Sequence, residues 1–197
     1  MERTLRQHQI VKEACRIITS HGIESLTVRG LAKDLNITDG ALYRHFKSKN
    51  EILSLLIDDI ESSLLSAIRA SAVHDNDPLE KLEKAFLSHF SYSEQMKALG
   101  FIVINEALSI KDKKLQKKVF GILNKYLKTI KGILIEGQAS GRFSKSMNPD
   151  AASVLFFGAV QSMVTLWGIS GYRISLRKSR LQETFNIYKG GILSVKT

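Results

Sequence analysis

The chain has 197 residues, 44% of them hydrophobic, and a formal net charge of +10. That composition supplies a core for one or two domains and excludes a globally disordered chain. The basic balance favours a polyanionic partner, nucleic acid first, while the single cysteine, Cys15, excludes an intrachain disulfide and a cysteine-based zinc site.

Leu5, Ile10, Ala14, Ile17 and Ile18 recur at helical spacing, which predicts a first helix over about 3–21. Gly22 ends it, because glycine accepts the left-handed conformation at a helix C-terminus. Cys15 falls among these apolar residues and reads as a buried, inert thiol. The segment MERTLRQHQIVKEA lacks the apolar run of a signal peptide, so a reducing cytoplasm is expected. Thr27 is placed to cap a second helix over about 28–35, and Thr38 a third over about 39–46, with Asn36 and Ile37 between them as the turn. Ser48 and Glu51 have capping-box spacing, so a fourth helix starts near Lys49 and runs to about Ala70.

A loop is expected over 73–77. Asp77, Pro78 and Glu80 then open a fifth helix with Leu79, Leu82, Phe86 and Phe90 on one face. A sixth is expected over about 97–109 and a seventh over about 113–140, stopped by Gly141. Asn148 and Pro149 open an eighth, reaching about Ser170, and a ninth carries Leu181, Phe185, Tyr188 and Ile192. No segment alternates as a strand does. The expected fold is all-α, with about nine helices: a three-helix head over 1–47, then a larger helical bundle over 48–197.

From Ala151 to Tyr172 there is no charged residue, a length that could span a bilayer. Ser153, Gln161, Ser162, Thr165, Ser170 and three glycines favour instead a helix buried among other helices, with no membrane partner.

The stretch TVRGLAKDLNITDGALYRHF, from Thr27 to Phe46, has the chemistry of a helix-turn-helix. Val28, Leu31, Ala32, Leu35, Leu42 and Phe46 face inward. Thr38, Asp39, Gly40, Ala41, Tyr43, Arg44 and His45 are left for the surface or the helix start. A recognition helix enters the major groove N-terminus first, where small residues allow close approach. Ala41 suits a thymine methyl, and Arg44 a guanine edge or a phosphate. Thr27, Arg29, Thr38, Tyr43, His45 and Lys49 carry groups suited to phosphate oxygens. Asp39 is repelled by phosphate, so its roles are helix-dipole stabilisation or acceptance from cytosine N4. Gly30, inside the second helix, costs about 1 kcal/mol of helix stability relative to alanine.

The pattern T-V-R-x-L-A-x-x-L-x-I-T-x-G-A-L-Y-R-H-F-K-S-K-x-x-I-L resembles the DNA-binding domain of TetR-family transcriptional regulators, over roughly the first quarter of the chain. The resemblance implies a homodimer on a near-palindromic, double-stranded operator. It implies DNA contacts at Thr27, Thr38, Gly40, Tyr43, His45 and Lys49, and a C-terminal bundle that binds a small-molecule effector. It also implies the mechanism: a ligand held between the fifth and eighth helices biases the fourth, respaces the two heads and releases a repressor.

The region from Phe86 to Trp167 has the aromatic and aliphatic walls and few polar groups of a small-molecule cavity. Candidate ligand contacts are Phe86, His89, Phe90, Phe101, Asn105, Tyr126, Gln161 and Trp167. The last two helices resemble a dimer interface, with Gly158, Ala159 and Ser162 permitting close approach and Val164, Trp167, Leu181, Phe185 and Tyr188 supplying buried area. Ten basic residues lie between Lys111 and Lys145 against Asp112 and Glu136; they read as a solvated helix face or an attraction for anions. No catalytic pair, metal-ligand spacing, phosphate loop or nucleophile elbow is present, so neither an enzyme nor a cofactor is expected. The alternative to a regulator is a small-molecule-binding helical protein without regulatory DNA binding.

Overall fold

A computed structural model describes residues 5–72, 77–173 and 178–193. Among these residues the chain forms helices α1 (Leu5–His21), α2 (Val28–Asp34), α3 (Asp39–Tyr43), α4 (Lys49–Ala72), α5 (Pro78–Gln95), α6 (Leu99–Ser109), α7 (Lys113–Ala139), α8 (Pro149–Ile169) and α9 (Lys178–Ile192). A single 3₁₀ turn, Ile23–Ser25, follows α1; three residues are too few for periodicity to reveal it. Contacts group the chain into two compact units, residues 1–62 with 99–120, and residues 63–98 with 121–197. The division falls inside α4 and inside α7.

In the first unit, α1 packs on the 3₁₀ turn, α2 and α6. Its core takes Ile10, Ala14 and Ile18 from α1, Leu31 from α2, Leu42 from α3, Ile52 and Leu56 from α4, and Leu99 and Val103 from α6, all fully or almost fully buried. Cys15 is half-buried, and burial pushes its thiol up to about 11, which keeps it protonated and unreactive. The loop expected over 73–77 lies, apart from Asp77, outside the described residues.

In the second unit, α5, α8 and α9 pack pairwise. Phe86 of α5 is the hub, its ring 5.6 Å edge-on from Phe156 and 5.5 Å from Phe185. The α7–α8 corner is closed by Gly141 at φ +74° and by Phe143, whose N–H donates to the Gly137 carbonyl at 3.0 Å. Phe143 also bridges to Leu193 beyond α9. A side chain at Gly137 would collide with the fully buried Phe143 ring, so this glycine serves packing rather than flexibility.

Two helices begin or end where periodicity did not indicate. The sixth starts at Leu99 rather than Lys97, because Lys97 and Ala98 take φ of 45° and 56°. Two successive left-handed residues cannot be helical; they turn the chain, with the Ala98 N–H on the Ser93 carbonyl at 2.7 Å. The third helix stops at Tyr43 rather than Phe46, its end tightened by the His45 N–H on the Leu42 carbonyl at 2.9 Å.

Candidate nucleic-acid interface and effector region

The pairing of α2 with α3 is set by caps and one turn. Thr27 Oγ1 accepts from the Gly30 N–H at 2.9 Å, and Thr38 Oγ1 from the Ala41 N–H at 3.2 Å. Each capping hydroxyl still holds an O–H to donate outward. Asn36, at φ 52°, turns the chain between the helices, and the Ile37 N–H reaches the Ala32 carbonyl at 3.0 Å. Gly30 has a local reason: a Cβ there would press on Thr27 Oγ1 at 2.9 Å, against the cap itself.

Leu42 is fully buried and Phe46 almost so, which anchors α3 by one face. Thr38, Asp39, Gly40, Tyr43, Arg44 and His45 are exposed and Ala41 is half-buried. Nothing lies within 4 Å of a Cβ placed on Gly40, so the leading end of α3 is open to close approach. Arg44 Nε donates to the Gly40 carbonyl at 3.3 Å, which draws the guanidinium back along α3. Arg29 is exposed and lies 3.7 Å from the Asp39 carboxylate. Asp39 is thus partnered by a cation and sits in the first turn of α3, where its charge favours the helix dipole.

The start of α4 is organised as its capping box requires. The Glu51 N–H reaches Ser48 Oγ at 3.4 Å, and Glu51 Oε2 accepts from the Lys47 N–H at 2.7 Å, one residue earlier than the reciprocal bond would be. Lys49 differs from its neighbours in the head. Its ammonium is 2.9 Å from Glu106 Oε1 of α6, and the two side chains are only 26% and 13% exposed. Sequence gave no sign of that partnership.

In the second unit, five of the candidate ligand residues gather around α5 and α8. His89 is buried, shares a 2.9 Å hydrogen bond with the Tyr126 hydroxyl, and is stacked by Phe157. Burial lowers its pKa to about 4, so the ring is neutral at pH 7. Phe86 and Phe90 are buried beside it along α5. Gln161 lies one turn beyond Phe157 on α8, and its Nε2 is buried without a hydrogen-bond partner among the described residues. Phe157 is the aromatic wall that the candidate set lacked; the uniformly apolar α8 gave no phase from which to select it. Trp167 is buried between Phe90 and Tyr172 as a core residue. Phe101 and Asn105 are not gathered with these residues. They belong to the first unit, and Asn105 is exposed with its amide on the Phe101 carbonyl at 2.8 Å.

Of the side chains expected at a dimer interface, Gly158 and Ser162 face outward and most of the larger ones lie in the core of one chain. Val164, Trp167, Leu181 and Phe185 are at most 8% exposed within one chain. Side chains already buried in their own core cannot also supply area to a second subunit. Tyr188 is half-buried, its hydroxyl donating to the Ala152 carbonyl at 3.1 Å. The outward stripe of α8 is instead Ala151, Leu155, Gly158, Ser162, Leu166 and Ile169, with Ile187 on α9. Leu155 and Ile187, 67% and 80% exposed, line an apolar groove of about 430 Å³ between α8 and α9. Among the described residues α8 is the one helix long and apolar enough to cross a membrane. Its inner face carries the protein core instead, with Phe156, Val160 and Val164 buried.

A family model described as bacterial regulatory proteins, tetR family, matches residues 10–56, and one described as YsiA-like protein, C-terminal region, matches residues 58–189. The chain therefore belongs to the TetR family: it is a DNA-binding transcriptional regulator, not an enzyme. It is 28% identical to the fatty acid metabolism regulator protein of Bacillus subtilis over 168 residues, 85% of this chain and 86% of that protein. It superimposes on the fatty acid degradation regulator FadR from Bacillus halodurans with a TM-score of 0.85 at 24% identity, covering 97% and 98% of the two chains. The transcriptional regulator FadR from Bacillus subtilis, solved in complex with stearoyl-CoA, matches with a TM-score of 0.82 at 25% identity over 94% and 98%.

Proposed function

We propose that the chain is a homodimeric repressor that a hydrophobic, acyl-bearing effector releases from a near-palindromic operator. The observation that carries DNA reading is the α2–α3 pair: α3 is anchored by Leu42 and Phe46 while its leading end stays open. Thr27, Arg29, Thr38, Asp39, Gly40, Ala41, Tyr43, Arg44, His45 and Lys49 are the proposed DNA contacts. The threonine hydroxyls and the α2–α4 N-termini offer donors to phosphate; Ala41 suits a thymine methyl, and Arg44, once released from the Gly40 carbonyl, a guanine edge or a phosphate.

The effector reading rests on two supports. His89, Tyr126 and Phe157 pack as an aromatic cluster, with Phe86 and Phe90 along the same helix α5 and Gln161 one turn on along α8, and this mix of rings with a few neutral polar groups suits an acyl chain. The relatives named for fatty-acid metabolism, one of them holding stearoyl-CoA, favour the same class. Dimerisation would use the outward stripe of α8, where Gly158 and Ser162 permit close helix approach between Leu155 and Leu166. A cytoplasmic location follows, since the operator is there.

Titration of the chain's own upstream DNA at stated salt tests the reading. Specific binding that is lost in a folded Tyr43→Ala, Arg44→Ala variant, and weakened by long-chain acyl-CoA, is the expected result. Full affinity in that variant refutes the site; indifference to acyl ligands refutes the effector class.

A further inference from the structure

We propose that Glu106 of α6 is a positioning residue for DNA binding: its carboxylate competes with operator phosphate for the Lys49 ammonium. The inference rests on the DNA-binding reading above.

Lys49 is the first residue of α4. A cation there opposes the positive end of the helix dipole, so the position is favourable only when an anion is at hand. In this structure the anion is Glu106, 2.9 Å away and almost enclosed. The contact does not stand alone. One residue along α4, Asn50 Nδ2 donates to Asp112 Oδ2 at 2.9 Å. One turn further, Lys118 Nζ of α7 donates to the Ser54 carbonyl at 2.8 Å, to Ser54 Oγ at 2.6 Å and to Asp58 Oδ2 at 2.7 Å. Asn50, Ser54 and Asp58 share one face of α4 by their spacing. Together these ties hold the first turns of α4 against α6 and the start of α7, all within the first unit.

The consequence is electrostatic. Of the three donors on the Lys49 ammonium, one is committed to Glu106, and the carboxylate cancels the charge that phosphate would otherwise meet. Operator affinity is thereby held below what the head's cations could give. The pair is already at contact distance, so any displacement of α6 that lengthens it frees Lys49 for DNA.

The test is a double-variant cycle on a DNA duplex, read as the slope of log affinity against log salt. Glu106→Gln keeps size and hydrogen bonding and removes the charge. It is expected to tighten binding and to steepen the slope by up to about 0.9 per head, one more phosphate neutralised. In a Lys49→Gln background the same change is expected to do nothing. A carboxylate that merely repelled DNA at long range would act equally in both backgrounds, and a purely structural pair would shift the melting midpoint but not the slope; either result overturns the proposal. Glu106→Ala repeats the cycle without the amide oxygen that Gln leaves near the ammonium. If wild-type protein binds no upstream fragment specifically, the functional reading fails instead, and the cycle on non-specific duplex still decides the Lys49 competition.

Discussion

Trimming Leu155 and Ile187 to alanine should dissociate the proposed dimer without unfolding either subunit. The two side chains are 67% and 80% exposed in the single chain, so neither contributes much to its own core. Each substitution deletes three carbons, worth about 0.8 kcal/mol each when buried. Scaled by the exposed fraction, that is about 3.5 kcal/mol per protomer and about 7 kcal/mol for a twofold interface, a dissociation constant weakened by about five orders of magnitude. Gly158 and Ser162 remain, so the shape of the helix seam is not otherwise altered. Sedimentation velocity across a concentration series reads the change directly, and the thermal midpoint extrapolated to low concentration checks that the monomer is intact. A double variant that stays dimeric at wild-type concentrations places the interface elsewhere. A wild-type protein that sediments as a monomer removes the need for one.

Gln161→Leu should raise the melting midpoint by about 2–6 °C, because an unpaired buried amide costs about 1–2 kcal/mol, and should weaken the acyl effector that offers it an acceptor; a lower midpoint would show that the amide is satisfied. His89 is neutral in the fold and its pKa lies at about 4, below the unfolded value of 6.5. Its stabilising contribution is therefore complete above pH 6.5 and is lost as pH falls toward 4, about 3 kcal/mol in all. A His89→Gln variant should lose correspondingly less stability than wild type between pH 7 and 4 in denaturant titrations, and parallel curves would contradict the burial argument. Thr27→Ala should cost about 1 kcal/mol of stability through the lost cap and weaken DNA of any sequence, leaving the salt slope unchanged because the hydroxyl carries no charge.

Local rules exposed most of the fold. Asp77–Pro78 and Asn148–Pro149 do start helices, each with its acceptor oxygen on the next free N–H groups. Thr27 and Thr38 cap as their positions required. What local rules could not supply was phase and partnership. Leu155 and Val164 are indistinguishable by composition, yet one faces out and the other in, because α8 is apolar on nearly every side and its period carries no direction. Phe157 was hidden for the same reason. Lys49 and Glu106 are far apart in sequence and meet only once α6 packs, so no spacing could announce them. Asp39, an acidic residue at the start of the proposed reading helix, is balanced by Arg29, a neighbour set by the α2–α3 turn.

The distribution of charge sharpens the role of those carboxylates. Residues 1–62 with 99–120 hold fourteen Lys/Arg and eleven Asp/Glu, whereas the remaining chain holds fifteen and eight. The unit with the helix-turn-helix is thus the less basic of the two, and the overall charge of +10 is a poor guide to how DNA is held. Of the cations around the reading helix, Arg29 lies against Asp39 and Lys49 against Glu106. The side-chain cations of Arg44 and Lys47 have no carboxylate partner among the described residues, so the dependence of operator affinity on salt should be shallower than the charge of +10 suggests without vanishing. A larger share of the affinity must then come from groups whose value depends on fit: helix N-termini, capping hydroxyls and the small residues that let α3 approach. Such a head gains little from DNA at large and much from a matching groove, which is the balance a specific regulator needs.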